Sequence, residues 1–126
     1  MRDFRELTVW WKGHRLTLDV YEATAGFPRE EVYGLTAQLR CSCVSIPANI
    51  AEGCGRSGDA ELARLIQIAL GFASELEYHL LLAHDLNLLN DQGYEKLSGR
   101  AVEVKRMLST FIGKLRVKQP VSQTNS

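Results

Sequence analysis

Apolar residues recur through most of this chain at alternating steps of three and four, the spacing that lays them on one face of an α-helix. From Leu7 to Ala25 the seam is Val9, Gly13, Leu16, Val20 and Ala23, flanked by Trp10 and Tyr21. Gly26-Phe27-Pro28 closes it, because glycine suits a C-cap and proline cannot continue the ladder. A second helix is predicted from Glu30 to Glu52, with acids in its first turn where the helix dipole favours them. Its stripe is Val32, Leu35, Leu39, Cys43, Ile46 and Ile50. Pro47 interrupts that helix, but the stripe stays in phase across it, which predicts one kinked helix rather than two short ones.

Gly53-Cys54-Gly55 is expected to stop the second helix, with Ser57 or Asp59 capping a third that runs to Leu86. Here Leu62, Ile66, Ala69, Ala73, Leu76, Leu80 and Ala83 form one seam. Leu65, Phe72 and Leu86 widen it into a second. Ile68, Gly71, Tyr78, Leu81 and Leu82 fall outside both. A helix apolar nearly all round is normally buried nearly all round, so Ile68, Tyr78 and Leu82 are predicted to form an interface between copies of the chain. After a turn at Asn87–Asp91, the fourth helix runs to Val117. Its seam is Tyr94, Leu97, Ala101, Val104, Leu108, Phe111 and Leu115. Four long helices joined by short breakers predict an all-α, antiparallel, up-down-up-down bundle over residues 1–118. The polar stretch 119–126, which contains Pro120, is predicted to be a disordered tail.

Composition narrows the function more than it defines it. With 126 residues, 45% of them hydrophobic, the chain is one domain able to build a core without metal or disulfide staples. Fifteen basic and fifteen acidic side chains cancel. They are unevenly spread: residues 59–90 hold Arg64 against Asp59, Glu61, Glu75, Glu77 and Asp85, whereas the fourth helix is basic. Such a pairing suits contacts between helices and between subunits; its alternative is a nucleic-acid patch at Lys105, Arg106, Lys114, Arg116 and Lys118. The first residues lack a secretory leader, and no long charge-free apolar run is evident, so a soluble, cytoplasmic protein without a membrane partner is expected. Three cysteines, two of them only two positions apart, predict reduced thiols, with Cys54 the most reactive of them.

Residues for catalysis are sparse. Glu75 and His79, four apart, share a face that Asp19 can join, but no Glu-x-x-His step occurs, and no metal site is expected. His14, among Trp11, Leu18 and Tyr21, reads as a packed side chain. Ser45 lacks a nucleophile elbow, and no phosphate-binding glycine loop is present, so neither an enzyme nor a cofactor is expected. Two polar sites remain. Gly53, Gly55 and Arg56, beside the start of the third helix, offer N–H groups and a cation for a small anion. Arg40, Asn49, Glu52 and Glu75 form a candidate structural cluster, with Arg40 or Asn49 paired to Glu75 and fixing helix register.

Several of these segments resemble a known family. Leu7-x-Val9-Trp10, Val20-Tyr21, Phe27-Pro28-x-Glu30-x-x-x-Gly34-Leu35, Gln38-x-Arg40, Ser45-Ile46-x-x-Asn49-Ile50-Ala51-Glu52-Gly53-x-Gly55-Arg56 and Ala69-x-Gly71-x-x-x-Glu75-x-Glu77 are similar to the large-ribosomal-RNA intervening-sequence proteins. The resemblance spans about residues 4–116. It implies an antiparallel four-helix bundle, assembly into homopentameric rings, and no established catalytic residues. A related branch, the accessory proteins of diversity-generating retroelements, is strongly basic and binds nucleic acid. This chain is neutral, and it carries Cys41 where the family often has the second arginine of a pair and Gly13 where an alanine is common. The expectation is therefore a non-enzymatic, ring-like homo-oligomer, a pentamer acting as scaffold or adaptor. The alternative is a weak RNA- or DNA-binding assembly using the basic last helix.

Overall fold

The computed structural model describes residues 2–117. Four helices dominate: α1 (Thr8–Thr24), α2 (Leu35–Gly55), α3 (Asp59–Asp85) and α4 (Asp91–Val117), with 3-10 turns at Phe4–Glu6 and Arg29–Glu31. Each helix packs on its neighbours in sequence and α1 closes against α4, while diagonal helices do not approach closely. These are the neighbour relations of an up-down four-helix bundle. The expected tail and Lys118 lie outside the described residues.

The core is the set of seams the spacing indicated, with small shifts. Leu16, Val20, Leu39, Ile46, Ile50, Ile66, Leu76, Leu80, Val104 and Leu108 are essentially inaccessible. On α1 the last buried position is Thr24 rather than Ala23. Near the end of α4, Ile112 is buried and Phe111 only partly so. A straight helix drifts about 20° per heptad against a 3.5-residue repeat, about half of one residue's step over a helix of this length, so the far end of a seam is shared between neighbouring positions.

Two helix boundaries depart from expectation. The first turn of α2 is not Glu30; Arg29–Glu31 forms its own 3-10 turn, and Gly34 separates it from the helix. Glu31 reaches across the break, its Oε1 accepting from the Leu35 N–H at 3.2 Å. At the other end, α2 does not stop at Gly53 but continues through Gly55. The reversal into α3 is made by Gly58, whose φ of 91° lies in the left-handed region that favours glycine. Gly58 is also the α3 N-cap position, so neither Ser57 nor Asp59 supplies that cap. Gly53 serves a different purpose. A Cβ there would sit 2.8 Å from Leu62 Cδ1 and 3.2 Å from Leu65 Cβ, so its absence lets α2 and α3 approach closely.

Pro47 lies inside a single continuous α2, as the in-phase stripe suggested. Lacking an N–H, it leaves the carbonyl of Cys43 without its helical donor. The Thr17 hydroxyl of α1 fills that place, with Oγ1 3.0 Å from the Cys43 oxygen and 2.9 Å from the Gly13 oxygen. Gly13 makes the crossing tight, since a Cβ there would lie 3.2 Å from Ile46 Cγ2. The α3–α4 turn is closed by Asn87, at φ 64°, and by Asn90, whose Oδ1 accepts from the Gly93 N–H at 2.7 Å as the N-cap of α4.

By length and composition α3 is apolar enough to cross a membrane, with mean hydropathy 1.2 over its best window. That window is not free of charge, since Glu75 and Glu77 interrupt it, so the expected absence of a long charge-free run is not contradicted. Only 39% of that window is buried within the bundle, so the helix keeps a large exposed share.

Candidate interaction surfaces

The polar positions singled out from sequence do not converge into one site. Arg40 turns to α1, where its Nε donates to Thr24 Oγ1 at 2.9 Å and its guanidinium lies 4.6 Å from the Tyr21 ring centroid. Asn49 donates to the Ser45 carbonyl one turn back at 2.7 Å. Glu52 pairs with Arg56 at 2.7 Å, while Glu75 is exposed and makes no ion pair among the described residues. The expected link from Arg40 or Asn49 to Glu75 is therefore absent. Arg40 sits on the α1 side of α2, whereas Glu75 belongs to α3 on the other side.

The anion reading of Gly53, Gly55 and Arg56 meets a similar correction. Both glycines are inside α2, so their N–H groups belong to its ladder, and the Arg56 N–H donates to the Gly53 oxygen. Arg56 is engaged by Glu52, and the adjoining cavity measures about 30 Å³, space for one water. Cys54 is buried rather than reactive, with Arg2 donating to its carbonyl at 2.9 Å. Burial pushes its thiol above the ordinary range. The Cys43 thiol is pushed up to about 12, again by burial first. Cys41 is the exposed thiol.

Among the described residues no group of three or more His, Cys, Asp or Glu side chains is placed to hold a metal ion. Asp19 is paired with Arg100 of α4, and His79 lies 3.5 Å from Ser42 Oγ, itself fully buried. His14 is stacked on Trp10 with ring centroids 4.9 Å apart, a packed histidine.

What the bundle does display is apolar surface. On α3, Tyr78 is 58% and Leu81 41% exposed, whereas Ile68 and Leu82 are partly buried. Spacing alone missed a second apolar surface. Along the outside of α1 run Trp11, His14, Leu18, Tyr21 and Ala25, at steps of three and four. Beside them on α2 run Ala37, Cys41, Val44 and Ala48. Trp11 and Leu18 are 52% and 51% exposed, and neither stripe contains an Asp, Glu, Lys or Arg. Trp11 and Leu18 fall between the inward seam positions, a phase that differs from the core stripe by half a turn. Reading the outward phase separately for each helix would have found it.

The basic last helix divides into engaged and open cations. Lys105 binds Glu77 of α3 at 2.8 Å, and Arg116 donates to Gln67 at 3.3 Å. Arg106 and Lys114 make no ion pair among the described residues. They border a groove of about 380 Å³ between α1 and α4, floored by Leu7, Val9, Met107 and Phe111. Arg2, which sequence reasoning passed over, adds a third cation at the same end, 5.8 Å from the Phe111 ring centroid, while also pairing with Asp59 at 3.5 Å.

Among the described residues the four-helix bundle leaves large apolar side chains and the cations Arg106 and Lys114 open at its surface. The chain belongs to the 23S rRNA-intervening sequence protein family, whose model matches residues 5–110. Its fold is similar to the crystal structure of a protein of unknown function from the S23 ribosomal protein family of Bacteroides thetaiotaomicron. That structure is 24% identical with a TM-score of 0.75, over 83% of this chain and 98% of that one. No curated protein matches the chain.

Proposed function

We propose that this protein is a non-enzymatic, cytoplasmic scaffold or adaptor that works as a homo-oligomer, with five copies the number the family resemblance implies. The observation that carries this reading is the amount of large apolar side chain left in water by a single copy: Trp11, Leu18, Tyr21 and Val44 on one side, Tyr78 and Leu81 on another. Contiguous apolar patches of this kind on a soluble protein ordinarily mark a contact surface. Light scattering on the purified protein tests it. A mass several times the 14.1 kDa of one chain is expected; a single-chain mass at micromolar concentration would reject the proposal.

A second reading has its own observation, the uncompensated Arg106 and Lys114 beside Phe111. Cations flanking an aromatic side chain suit a single-stranded nucleic acid, with phosphates on the cations and a base against the ring. In a ring the patch would repeat, so weak attraction per copy would add by multivalency. A gel shift with single-stranded RNA that weakens as salt rises is the expected result. No shift at low salt would eliminate this reading.

A further inference from the structure

We infer that the groove between α1 and α4 is a binding site for a carboxylate with a medium-length alkyl chain, in chemical class a free fatty acid. Its volume of about 380 Å³ falls among recesses that hold small molecules. The opening exists because α1 meets α4 less closely than α2 meets α3. Along α4 the sequence sets two rows side by side: Arg106, Thr110 and Lys114 at steps of four, then Met107 and Phe111 at the same step. The first row is exposed. The second is partly buried and makes the floor together with Leu7 and Val9 of α1. An apolar bed with cations along one edge matches an amphiphilic anion lying lengthwise.

Charge selects the head group and where it sits. Among the described residues no acidic side chain lines the groove, and neither Arg106 nor Lys114 makes an ion pair. At the Lys114 end the groove continues past Phe111 to Arg2, whose guanidinium lies 5.8 Å from the Phe111 ring centroid. Arg2 meets Asp59 through Nη2 at 3.5 Å, which leaves other N–H groups of its fork for a ligand. Two cations at this end against one at Arg106 place the carboxylate here. Its alkyl chain then runs back over Phe111 and Met107 toward Arg106, eight residues or about 12 Å along the helix.

The floor distinguishes this occupant from a polymer. Leu7, Val9, Met107 and Phe111 offer no hydrogen-bonding side chain, so a peptide laid there would leave backbone N–H and C=O groups without partners. An alkyl chain has no such groups to satisfy. A nucleobase would have to compete with Arg2 for the Phe111 ring. Met107 suits the alkyl chain as well, because its unbranched thioether adapts to whatever apolar shape lies against it.

Met107 also supplies the test. The chain has two methionines, so protein labelled at the methionine methyl groups gives two resonances, and Met107→Leu identifies the one from the groove. Titration with decanoate should move that resonance saturably while circular dichroism shows unchanged helix content. Octanoate, two methylenes shorter, should bind about tenfold more weakly. The neutral decanol should bind about fivefold more weakly than decanoate. Lys114→Gln, at an exposed position, should abolish the preference for the carboxylate, whereas Arg106→Gln should keep most of it. A Met107 resonance left in place by millimolar decanoate would overturn the proposal. So would equal affinity for decanoate and decanol, equal affinity for decanoate and octanoate, or a carboxylate preference that survives Lys114→Gln. A single-stranded oligonucleotide that moves the resonance where decanoate does not would reject the fatty acid and give the groove to the nucleic-acid reading.

Discussion

Replacing Thr17 by valine keeps the side chain's shape and removes its hydroxyl, which isolates the bond across the α1–α2 crossing. The hydroxyl carries one proton and has two carbonyls within reach, Gly13 at 2.9 Å and Cys43 at 3.0 Å. The Gly13 oxygen already has the Thr17 N–H of its own helix, whereas the Cys43 oxygen lost its donor to Pro47. Leaving a buried acceptor unpaired costs about 1–3 kcal/mol. Because the site is part-buried, the lower half of that range applies, about 1–2 kcal/mol. In urea this is a midpoint shift of roughly 0.5–1 M for a chain of this size. Pro47→Ala restores an N–H to the Cys43 oxygen, so Thr17→Val should cost little in that background. A double-mutant cycle at fixed protein concentration, followed by circular dichroism, should therefore give a coupling of about 1 kcal/mol. If Thr17→Val costs the same with proline or alanine at position 47, the hydroxyl is not the substitute donor and the reasoning is wrong.

Other outcomes follow from the same geometry. Gly53→Ala should destabilise by about 1–3 kcal/mol through overpacking against Leu62 and Leu65. Gly55→Ala, with nothing within 4 Å, should be neutral or stabilising by about 0.5–1 kcal/mol, both read from thermal melts. Glu75→Gln should leave the melting temperature of a dilute, single-chain form unchanged within about 0.5 kcal/mol, since the carboxylate is exposed and unpaired in the protomer. A thiol reagent should modify Cys41 rapidly in the native protein and reach Cys43 and Cys54 only on unfolding. The buried Cys43 thiol holds its proton up to about 12 against an ordinary value of 9.0. The unfolded chain therefore binds fewer protons between those values. The contribution is complete below about pH 9 and lost as pH rises toward 12. Urea midpoints of wild type and Cys43→Val should diverge across that window, and parallel curves would contradict it.

The helices were legible because burial in a bundle imposes a period, and the period survives in Leu16, Leu39, Leu76 and Leu108 whatever surrounds them. Boundaries set by glycine were less so. Gly53 and Gly58 look alike in sequence, yet one serves helix packing and the other chain reversal. The distinction depends on Leu62 and Leu65 arriving from another helix. The polar pairings were the least legible. Arg40, Asn49 and Glu75 were assigned to one another by chemistry alone, but which flank of α2 a residue occupies is fixed only once α1 and α3 have taken their places. The open surface of α1 was hidden for a related reason: Trp11 and Leu18 read as the packing around His14 until the core is seen to be full without them.

The closure of α1 against both α2 and α4 sets an order for assembly during synthesis. Chains emerge from the amino end, so α1 and α2 can meet early around Gly13 and Ile46, and α3 can fold down on α2 soon after. The flank of α1 carrying Lys12 and Asp19, which pair with Glu103 and Arg100, has nothing to rest on until the last helix is free of the exit tunnel. A chain halted before α4 would leave the apolar faces of α1 and α3 that α4 covers open along one side. A chaperone, or a sister chain on the same message, has its opportunity then.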